Sequence, residues 1–177
     1  MINWKINDTT LKYRNSWIEV REHQVVFPGG KTGVYGVVSM PDTVAVIARE
    51  DTAIYLVRQY RFTVNMDSWE LPSGHIRKDE TPQKAAEREL REEAGLKAGK
   101  WKSLGFVHPA LGVMNSTRYL FLAEQLTAAP TSHEDAEACM KIEKFPLEEI
   151  SKMIARNEIF DDYLIAALYK LTTQNDH

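Results

Sequence analysis

The chain has 177 residues, of which 44% are hydrophobic and 27% are charged, and its formal net charge is −3. These values are typical of a soluble protein with one hydrophobic core, and the slight negative charge without a lysine or arginine stripe argues against nucleic-acid binding. The apolar runs are too short to cross a bilayer and the N-terminus does not resemble a signal peptide, so we expect no membrane partner and a cytoplasmic location.

Alternating and apolar segments predict a series of strands along the chain. The first two are joined by the turn-rich residues 28–31 and form a hairpin. The next two are almost continuously apolar, which predicts burial on both faces of a central sheet. Strands are predicted over residues 11–27, 33–39, 43–50, 53–62, 101–108, 117–126 and 137–145.

Three segments carry helix signals. Thr81 can cap a helix that begins with Pro82 and ends before Gly95, so a helix is predicted over residues 82–94. A second helix is predicted after Pro146, and a third over residues 161–171. Helices that flank a mixed sheet indicate an α/β sandwich.

The helix over residues 82–94 carries three glutamates on one face. Glu89, Glu92 and Glu93 are spaced i, i+3 and i+4, where like charges repel by about a few tenths of a kcal/mol per pair. A divalent cation would reverse this repulsion, and a set of oxygen donors suits Mg²⁺ or Mn²⁺. The alternative is a solvated acidic face that Arg88 and Arg91 partly neutralise.

The fixed positions around these glutamates form a longer pattern. In chain order they are Gly74, Glu80, Arg88, Glu89, Leu90, Glu92, Glu93, Gly95 and Leu96. The pattern resembles the signature of the Nudix hydrolases at every fixed position. The resemblance implies a Nudix fold, which is an α/β/α sandwich with a mixed β-sheet, and a metal-dependent pyrophosphohydrolase.

The resemblance also implies a set of metal-site residues. Glu89, Glu92 and Glu93, together with the backbone carbonyl of Ser73, would hold Mg²⁺, with Mn²⁺ as a substitute. The resemblance further implies that Glu92 and Glu93 are the catalytic carboxylates. The residues expected to support them without touching substrate are Glu70, Glu80 and Arg88.

Segments outside this pattern resemble one subgroup, the ADP-ribose and nucleoside diphosphate sugar pyrophosphatases. They are LVRQYR, WELPSG, HPALGVMNSTRYLFLA with its Pro109, and the C-terminal FPLEEISKMIARNEIFDDYLIAALYKL. In this subgroup an N-terminal antiparallel β-hairpin forms a homodimer and completes each substrate site. We therefore expect residues 1–40 to be such an extension and residues 41–177 to be the Nudix domain.

The resemblance assigns several residues to the substrate. Trp17 and Tyr35 fall where the subgroup places aromatic rings on either side of adenine, although an aromatic in a strand is more commonly part of a core. Arg61 is the best candidate for the phosphates, and an arginine at a strand edge otherwise pairs with a surface carboxylate. Further substrate contacts are expected from Arg21, Arg58, Leu111 and Arg118.

The general base is expected in the acidic stretch SHEDAEA, because the subgroup takes a loop glutamate from this region. Glu137 is the preferred candidate, and Glu134 is the alternative. One position departs from the pattern of many relatives, because Ser116 stands where they carry a glutamate after Gly112.

The sequence therefore predicts hydrolysis of the pyrophosphate bond of ADP-ribose or a related nucleoside diphosphate sugar, giving a nucleoside monophosphate and a sugar phosphate. One alternative keeps the chemistry and changes the substrate to a GDP-sugar, a nucleoside triphosphate or a dinucleoside polyphosphate. The other is a non-catalytic module that binds ADP-ribose, which has no need for three mutually repelling glutamates.

Overall fold

The computed structural model describes residues 4–131 and 139–173. Ten strands and three helices lie within these residues. Their bounds in chain order are β1 Lys5–Arg14, β2 Glu19–Val26, β3 Thr32–Ser39, β4 Thr43–Glu50, β5 Ala53–Arg61, β6 Met66–Glu70, β7 Ser73–His75, α1 Pro82–Ala94, β8 Leu96–Val107, β9 Arg118–Ala128, β10 Lys141–Pro146, α2 Leu147–Ala155 and α3 Asp162–Thr173.

The chain divides into two compact units. The described part of unit 1 consists of residues 4–42 and 108–117, and that of unit 2 of residues 43–107, 118–131 and 139–173. The chain therefore leaves unit 1 at the start of β4 and returns to it once, between β8 and β9.

Unit 1 contains a three-stranded antiparallel sheet in the order β1-β2-β3. The prediction of one strand over residues 11–27 is wrong, because this segment contains the end of β1, a turn and β2. The turn is held by the Asn15 side chain, whose Oδ1 accepts hydrogen bonds of 2.8 Å from the amides of Trp17 and Ile18. A local side-chain cap of this kind ends a strand, although the alternation of apolar and polar residues in the sequence continues through it.

The predicted hairpin is present as β2 and β3, with the left-handed Gly30 (φ 85°) in its turn. The loop of residues 108–117 joins the sheet beside β3. The amide of Val38 donates to the carbonyl of Val113 at 2.8 Å, and the Tyr35 hydroxyl donates to the carbonyl of Gly112 at 2.6 Å. The segment between β8 and β9 is thus part of the N-terminal sheet's own unit.

Unit 2 is built on a seven-stranded mixed sheet. Its path runs β10-β5-β4-β9-β8, with β6 paired to β5 and β7 paired to β4. Strands β4 and β9 are parallel, and the other pairs are antiparallel. The prediction of burial on both faces is confirmed for β4, where every residue from Thr43 to Ala48 is buried, but it is wrong for the end of β5, where Tyr60 and Arg61 are exposed.

Helices cover both faces of this sheet. On one face Val44 and Val46 belong to a core cluster with Leu90 of α1. On the other face Ile47 belongs to a cluster with residues of α2 and α3, such as Leu164. The predicted α/β/α sandwich with a mixed sheet is confirmed. The three predicted helical segments correspond to α1, α2 and α3.

Two short strands were not predicted. β6 and β7 lie on either side of Pro72, which cannot donate a ladder hydrogen bond. β6 ends at Glu70 and β7 begins at Ser73, so Leu71 and Pro72 separate the two strands. In the described residues, no helix has the length and apolar character needed to cross a membrane.

Candidate active site

The acidic face lies on a helix whose ends are set by local chemistry, as predicted. The Thr81 side chain accepts a hydrogen bond of 3.3 Å from the amide of Lys84, and Pro82 is the first helical residue. Gly95 ends the helix in the left-handed conformation (φ 62°). The apolar face of α1, which includes Ala86 and Leu90, is buried against the sheet. This burial fixes which way the glutamates point.

Two of the three glutamates are buried. Glu93 is 2% exposed and Glu89 is 8% exposed, which contradicts the alternative of a solvated acidic face. The Ser73 amide donates a hydrogen bond of 2.7 Å to Oε2 of Glu93, so the start of β7 holds one carboxylate directly. A Cβ added to Gly74 would overlap the Glu89 carboxylate. The backbone of β7 therefore approaches both acids closely.

Arg88 connects the acidic side chains. Its Nε and Nη2 each donate to one oxygen of Glu80 at 2.9 Å, and its Nη1 donates to Glu89 at 2.6 Å and to Glu92 at 3.1 Å. Nη2 also reaches the His75 carbonyl at 2.8 Å. These hydrogen bonds lower the pKa of Glu80 below its ordinary value. Burial disfavours the charge of Arg88, but the carboxylates raise its pKa overall.

The donor chemistry of this cluster fits a hard divalent cation. Glu89, Glu92 and Glu93 supply only oxygens, and the absent side chain of Gly74 leaves room for one of them. In the arrangement seen within residues 4–131 and 139–173, no group of three acidic, histidine or cysteine side chains is placed to hold a metal ion. The acids are instead organised by Arg88 and by the Ser73 amide.

Arg61, the predicted phosphate-binding residue, forms a two-pronged ion pair with Glu70. Its Nε donates to Oε1 of Glu70 at 2.8 Å, and its Nη2 bonds Oε2. The hydrogen bond to Glu70 raises the pKa of Arg61, and the charges of Glu93 and Asp161 add to this effect. Glu70 thus orients an arginine that lies within electrostatic reach of the carboxylate helix.

Two of the three other predicted substrate-binding arginines, Arg58 and Arg21, have nearby acidic partners. Arg58 donates to Asp67 at 2.9 Å and lies 5.8 Å from the Trp69 ring centroid. Arg21 pairs with Glu19. In both pairs the arginine bonds a nearby carboxylate, which is the alternative to phosphate binding that applies to an arginine at a strand edge.

The two aromatic residues predicted to clamp adenine differ in their surroundings. Trp17 is 61% exposed and lines a cavity of about 280 Å³ in unit 1. Tyr35 is not among the residues that line this cavity; its hydroxyl is bonded to Gly112, and its ring contacts Trp4 at 5.3 Å. One chain therefore does not place both rings around the same cavity. Leu111, in the adjoining loop, is 80% exposed.

Both candidates for the general base, Glu134 and Glu137, lie outside the described residues. Ser116, at the position of the missing glutamate, is 3% exposed, and its hydroxyl donates to the carbonyl of Pro41 at 3.1 Å. Cys139 is exposed.

One half-buried acid that interacts electrostatically with Arg61 was not predicted. Asp161 precedes α3, and burial, followed by the charge of Glu70, raises its pKa to about 6. Arg118 lies over the Tyr163 ring, 2.9 Å from its centroid. The only signal in the sequence is the pair of aspartates at the start of an apolar helix, which is equally typical of a helix cap.

Comparison with known proteins agrees with this fold. Residues 39–168 match the NUDIX domain, and residues 4–38 match the nucleoside diphosphate sugar hydrolase N-terminal domain. The chain therefore belongs to the Nudix hydrolase family and is a pyrophosphohydrolase. The resemblance to the nucleoside diphosphate sugar subgroup is confirmed as well. Nudix hydrolases generally use a divalent metal.

Two bacterial relatives cover most of the chain. The ADP-ribose pyrophosphatase of Mycobacterium tuberculosis is 35% identical over 87% of this chain and 77% of its own length. The ADP-ribose pyrophosphatase of Bacillus subtilis is 30% identical over 81% of this chain and 79% of its own length. The crystal structure of an ADP compounds hydrolase has a TM-score of 0.87 at 20% identity, covering 97% of this chain and 93% of the other, and this likeness shows the fold.

Proposed function

We propose that this enzyme hydrolyses the pyrophosphate bond of ADP-ribose or a related nucleoside diphosphate sugar, releasing AMP or another nucleoside monophosphate and a sugar phosphate. The observation that carries the proposal is the buried acidic face of α1, held by Arg88 and the Ser73 amide. Buried like charges are costly unless a cation or an ion pair compensates them. The two relatives named ADP-ribose pyrophosphatase support the choice of substrate.

The residues proposed to hold Mg²⁺, or Mn²⁺ in its place, are Glu89, Glu92, Glu93 and the Ser73 carbonyl. When bound, the cation supplies charge screening of the diphosphate and acidifies the attacking water. The chain's own contribution is orientation. Arg88 holds Glu89 and Glu92 on one side, and the Ser73 amide holds Glu93 on the other. Glu80 steadies Arg88.

Arg61 is proposed to bind the substrate phosphates. Glu70 occupies its Nε and Nη2, which leaves the Nη1 group of the guanidinium fork for a phosphate oxygen. Arg21, Arg58 and Leu111 are proposed as further substrate contacts. Glu137, or Glu134, is proposed as the general base that takes the proton of the attacking water.

Residues 1–40 are proposed to form a dimerisation and substrate-binding extension to the Nudix domain of residues 41–177. The exposed Trp17 and the separate environment of Tyr35 support an adenine clamp whose two rings come from different chains. Analytical ultracentrifugation at micromolar protein concentration tests this homodimer, and a molecular mass equal to that of one chain would contradict it. A cytoplasmic location is also proposed, and fractionation of the source cells tests it.

The test of the function is to incubate the purified protein with ADP-ribose, with and without Mg²⁺, and to quantify AMP by chromatography. Rapid AMP release that depends on Mg²⁺ is the expected result. Turnover of GDP-sugars, nucleoside triphosphates or dinucleoside polyphosphates without turnover of ADP-ribose would contradict the proposed substrate. Tight binding of ADP-ribose without turnover of any of these compounds would indicate a binding module.

Replacement of Trp17 by alanine is expected to raise the KM for ADP-ribose about tenfold, because base–aromatic stacking contributes about 1–3 kcal/mol. The fold should be unaffected, since this side chain is 61% exposed. Steady-state kinetics measure the effect. Trp17→Phe is the matched control because it keeps a stacking ring, and an unchanged KM in the alanine variant would remove Trp17 from the substrate site.

Replacement of Gly74 by alanine is expected to lower kcat about 100-fold, because the new Cβ overlaps the Glu89 carboxylate and displaces it. The thermal midpoint and kcat of the variant are compared with those of Gly36→Ala, since a Cβ at Gly36 meets nothing within 4 Å. Equal activities of the two variants would contradict the role of this close approach.

A further inference from the structure

Glu92, one of the three glutamates on the acidic face of α1, lies among three arginines. The closest guanidinium nitrogen is 3.5 Å from its carboxylate for Arg77, 3.1 Å for Arg88 and 3.5 Å for Arg91. The Arg88 side chain is 11% exposed and has further carboxylate partners, whereas the Arg77 and Arg91 side chains are 57% and 47% exposed. Two of these three guanidinium groups are therefore open to an anion from solvent.

The two exposed arginines approach different oxygens of Glu92. Nη1 of Arg88 bonds both Oε2 of Glu92 and the carboxylate of Glu89, so Oε2 is the oxygen that faces the other acids. Arg77 also lies beside Oε2, whereas Arg91 lies beside Oε1. Arg77 therefore stands on the side of Glu92 where the proposed cation ligands meet, and Arg91 stands on the other side.

The backbone of Arg77 is held firmly, although its side chain is exposed. Its amide donates to Oε2 of Glu80 at 3.0 Å, and its carbonyl accepts a hydrogen bond of 3.1 Å from the Glu80 amide. Asp79, within this turn, has the left-handed conformation (φ 64°). Arg88 bonds both oxygens of the same Glu80 carboxylate. The loop between β7 and α1 thus presents the Arg77 side chain from a fixed point next to the acidic face.

The contact between Arg77 and Glu92 is a weak one. At 3.5 Å it is longer than an ordinary hydrogen bond, and an exposed ion pair contributes little to stability. The attraction falls further when Glu92 is a cation ligand, because the charge of its carboxylate is then compensated. A phosphate can accept two parallel hydrogen bonds from a guanidinium and binds it more strongly. Arg77 can therefore leave Glu92 for a phosphate at little cost.

We propose that Arg77 binds a phosphate group of the diphosphate substrate, beside the Glu92 end of the proposed cation site. The proposal rests on the proposed function, and it adds to Arg61 of β5 a second arginine from another part of unit 2. Arg77 lies between Gly74 and Glu80, where the Nudix pattern fixes no residue, so the resemblance assigns it no role. It is a substrate-binding residue whose loss weakens binding and leaves the fold intact.

The experiment compares Arg77→Met with two control variants at saturating Mg²⁺. Arg91→Met removes a guanidinium at the same distance from the same carboxylate, and Lys78→Met removes a positive charge from the next exposed position of the same loop. Arg77→Met is expected to raise the KM for ADP-ribose about tenfold, with kcat within about threefold of the wild type. Both controls should keep the KM within about twofold, and the thermal midpoint verifies that all variants fold.

Arg77→Lys separates charge from geometry. Lysine keeps the positive charge but lacks the planar fork, so its KM should lie between those of the wild type and Arg77→Met, at about threefold above the wild type. A KM for Arg77→Lys equal to that of Arg77→Met would contradict an electrostatic contact with phosphate.

The affinity for Mg²⁺, measured by titration calorimetry without substrate, excludes an effect through the cation. Arg77→Met and Arg91→Met each remove one positive charge near Glu92, so both should change this affinity by a similar factor. A rise of KM in Arg77→Met alone then reports a contact with substrate. If Arg77→Met alone weakens Mg²⁺ binding, by the same factor as it raises the KM, the inference is overturned.

Methylene diphosphonate gives a readout that does not depend on ADP-ribose, because it carries two linked phosphonate groups without a base or sugar and resists hydrolysis. Its Kd in excess Mg²⁺ should rise about tenfold in Arg77→Met and stay within about twofold in both controls. If the wild type does not cleave ADP-ribose but only Arg77→Met weakens this binding, the proposed substrate fails and the phosphate contact stands.

Two results overturn the inference. In an active enzyme, it is overturned by equal KM values for ADP-ribose in Arg77→Met and Arg91→Met. In a protein that does not cleave ADP-ribose, it is overturned if the wild type does not bind methylene diphosphonate, or if these two variants bind it with equal Kd values.

Discussion

Replacement of Glu93 by glutamine is expected to lower kcat on ADP-ribose about 1000-fold without unfolding the protein. The glutamine carbonyl can still accept the hydrogen bond that the Ser73 amide donates to Glu93, so the contact between β7 and α1 persists. What is lost is one negative charge at the proposed cation site. Each tenfold loss of rate corresponds to about 1.36 kcal/mol, so the loss of several kcal/mol of metal-assisted charge stabilisation accounts for this factor.

The measurements are kcat at saturating ADP-ribose and Mg²⁺, and the affinity for Mg²⁺ by titration calorimetry. Glu87→Gln is the matched control, because Glu87 lies on the same helix and pairs with Lys84 at 3.3 Å, away from the acidic face. It should keep wild-type values of both quantities. A Glu93→Gln enzyme with near-normal kcat would exclude Glu93 from the reaction.

Replacement of Arg88 by methionine is expected to lower the free energy of unfolding by about 3–5 kcal/mol in the absence of divalent metal. Methionine keeps the apolar stem, but Glu80, Glu89 and Glu92 lose the guanidinium that they share. Millimolar Mg²⁺ should restore part of this loss, because a cation bound by Glu89 and Glu92 relieves their repulsion in the folded state only.

Urea unfolding in EDTA and in Mg²⁺ measures both effects. Arg91→Met is the control, because the Arg91 side chain is 47% exposed and lies 3.5 Å from Glu92. Its removal should cost less than about 1 kcal/mol, as is typical of exposed ion pairs. Equal losses in the two variants, or no recovery of Arg88→Met in Mg²⁺, would contradict the role of Arg88 as the organiser of the acids.

The elements predicted correctly are those whose signals are local. Thr81 and Gly95 each mark an end of α1 through contacts with residues in the adjacent helical turn. The apolar run of β4 can be recognised without knowledge of its partner strands. The boundary between β1 and β2 was missed because it depends on one side chain, Asn15, which caps two amides within an otherwise continuous pattern.

The contacts of the candidate site are less predictable, because they join distant parts of the chain. The glutamate spacing identifies an acidic face, but not that the Ser73 amide, 20 residues away, holds one of its acids. Arg61 and Glu70 lie on the paired strands β5 and β6, but the register sets Arg61 opposite Met66 and Glu70 opposite Val57, and β6 was not predicted. The electrostatic effect of Asp161 on these residues depends on how α3 packs, which helical periodicity alone does not specify.

The return of residues 108–117 to unit 1 has a consequence for the order of folding. During synthesis, β1, β2 and β3 are complete long before the loop that bonds to them, since Tyr35 and Gly112 are 77 positions apart. Closing such a separation requires the intervening chain to be compact, because contacts between distant residues form slowly and at an entropic cost. The N-terminal sheet is therefore expected to reach its final stability only after β4 to β8 have folded, although its strands precede them in the chain.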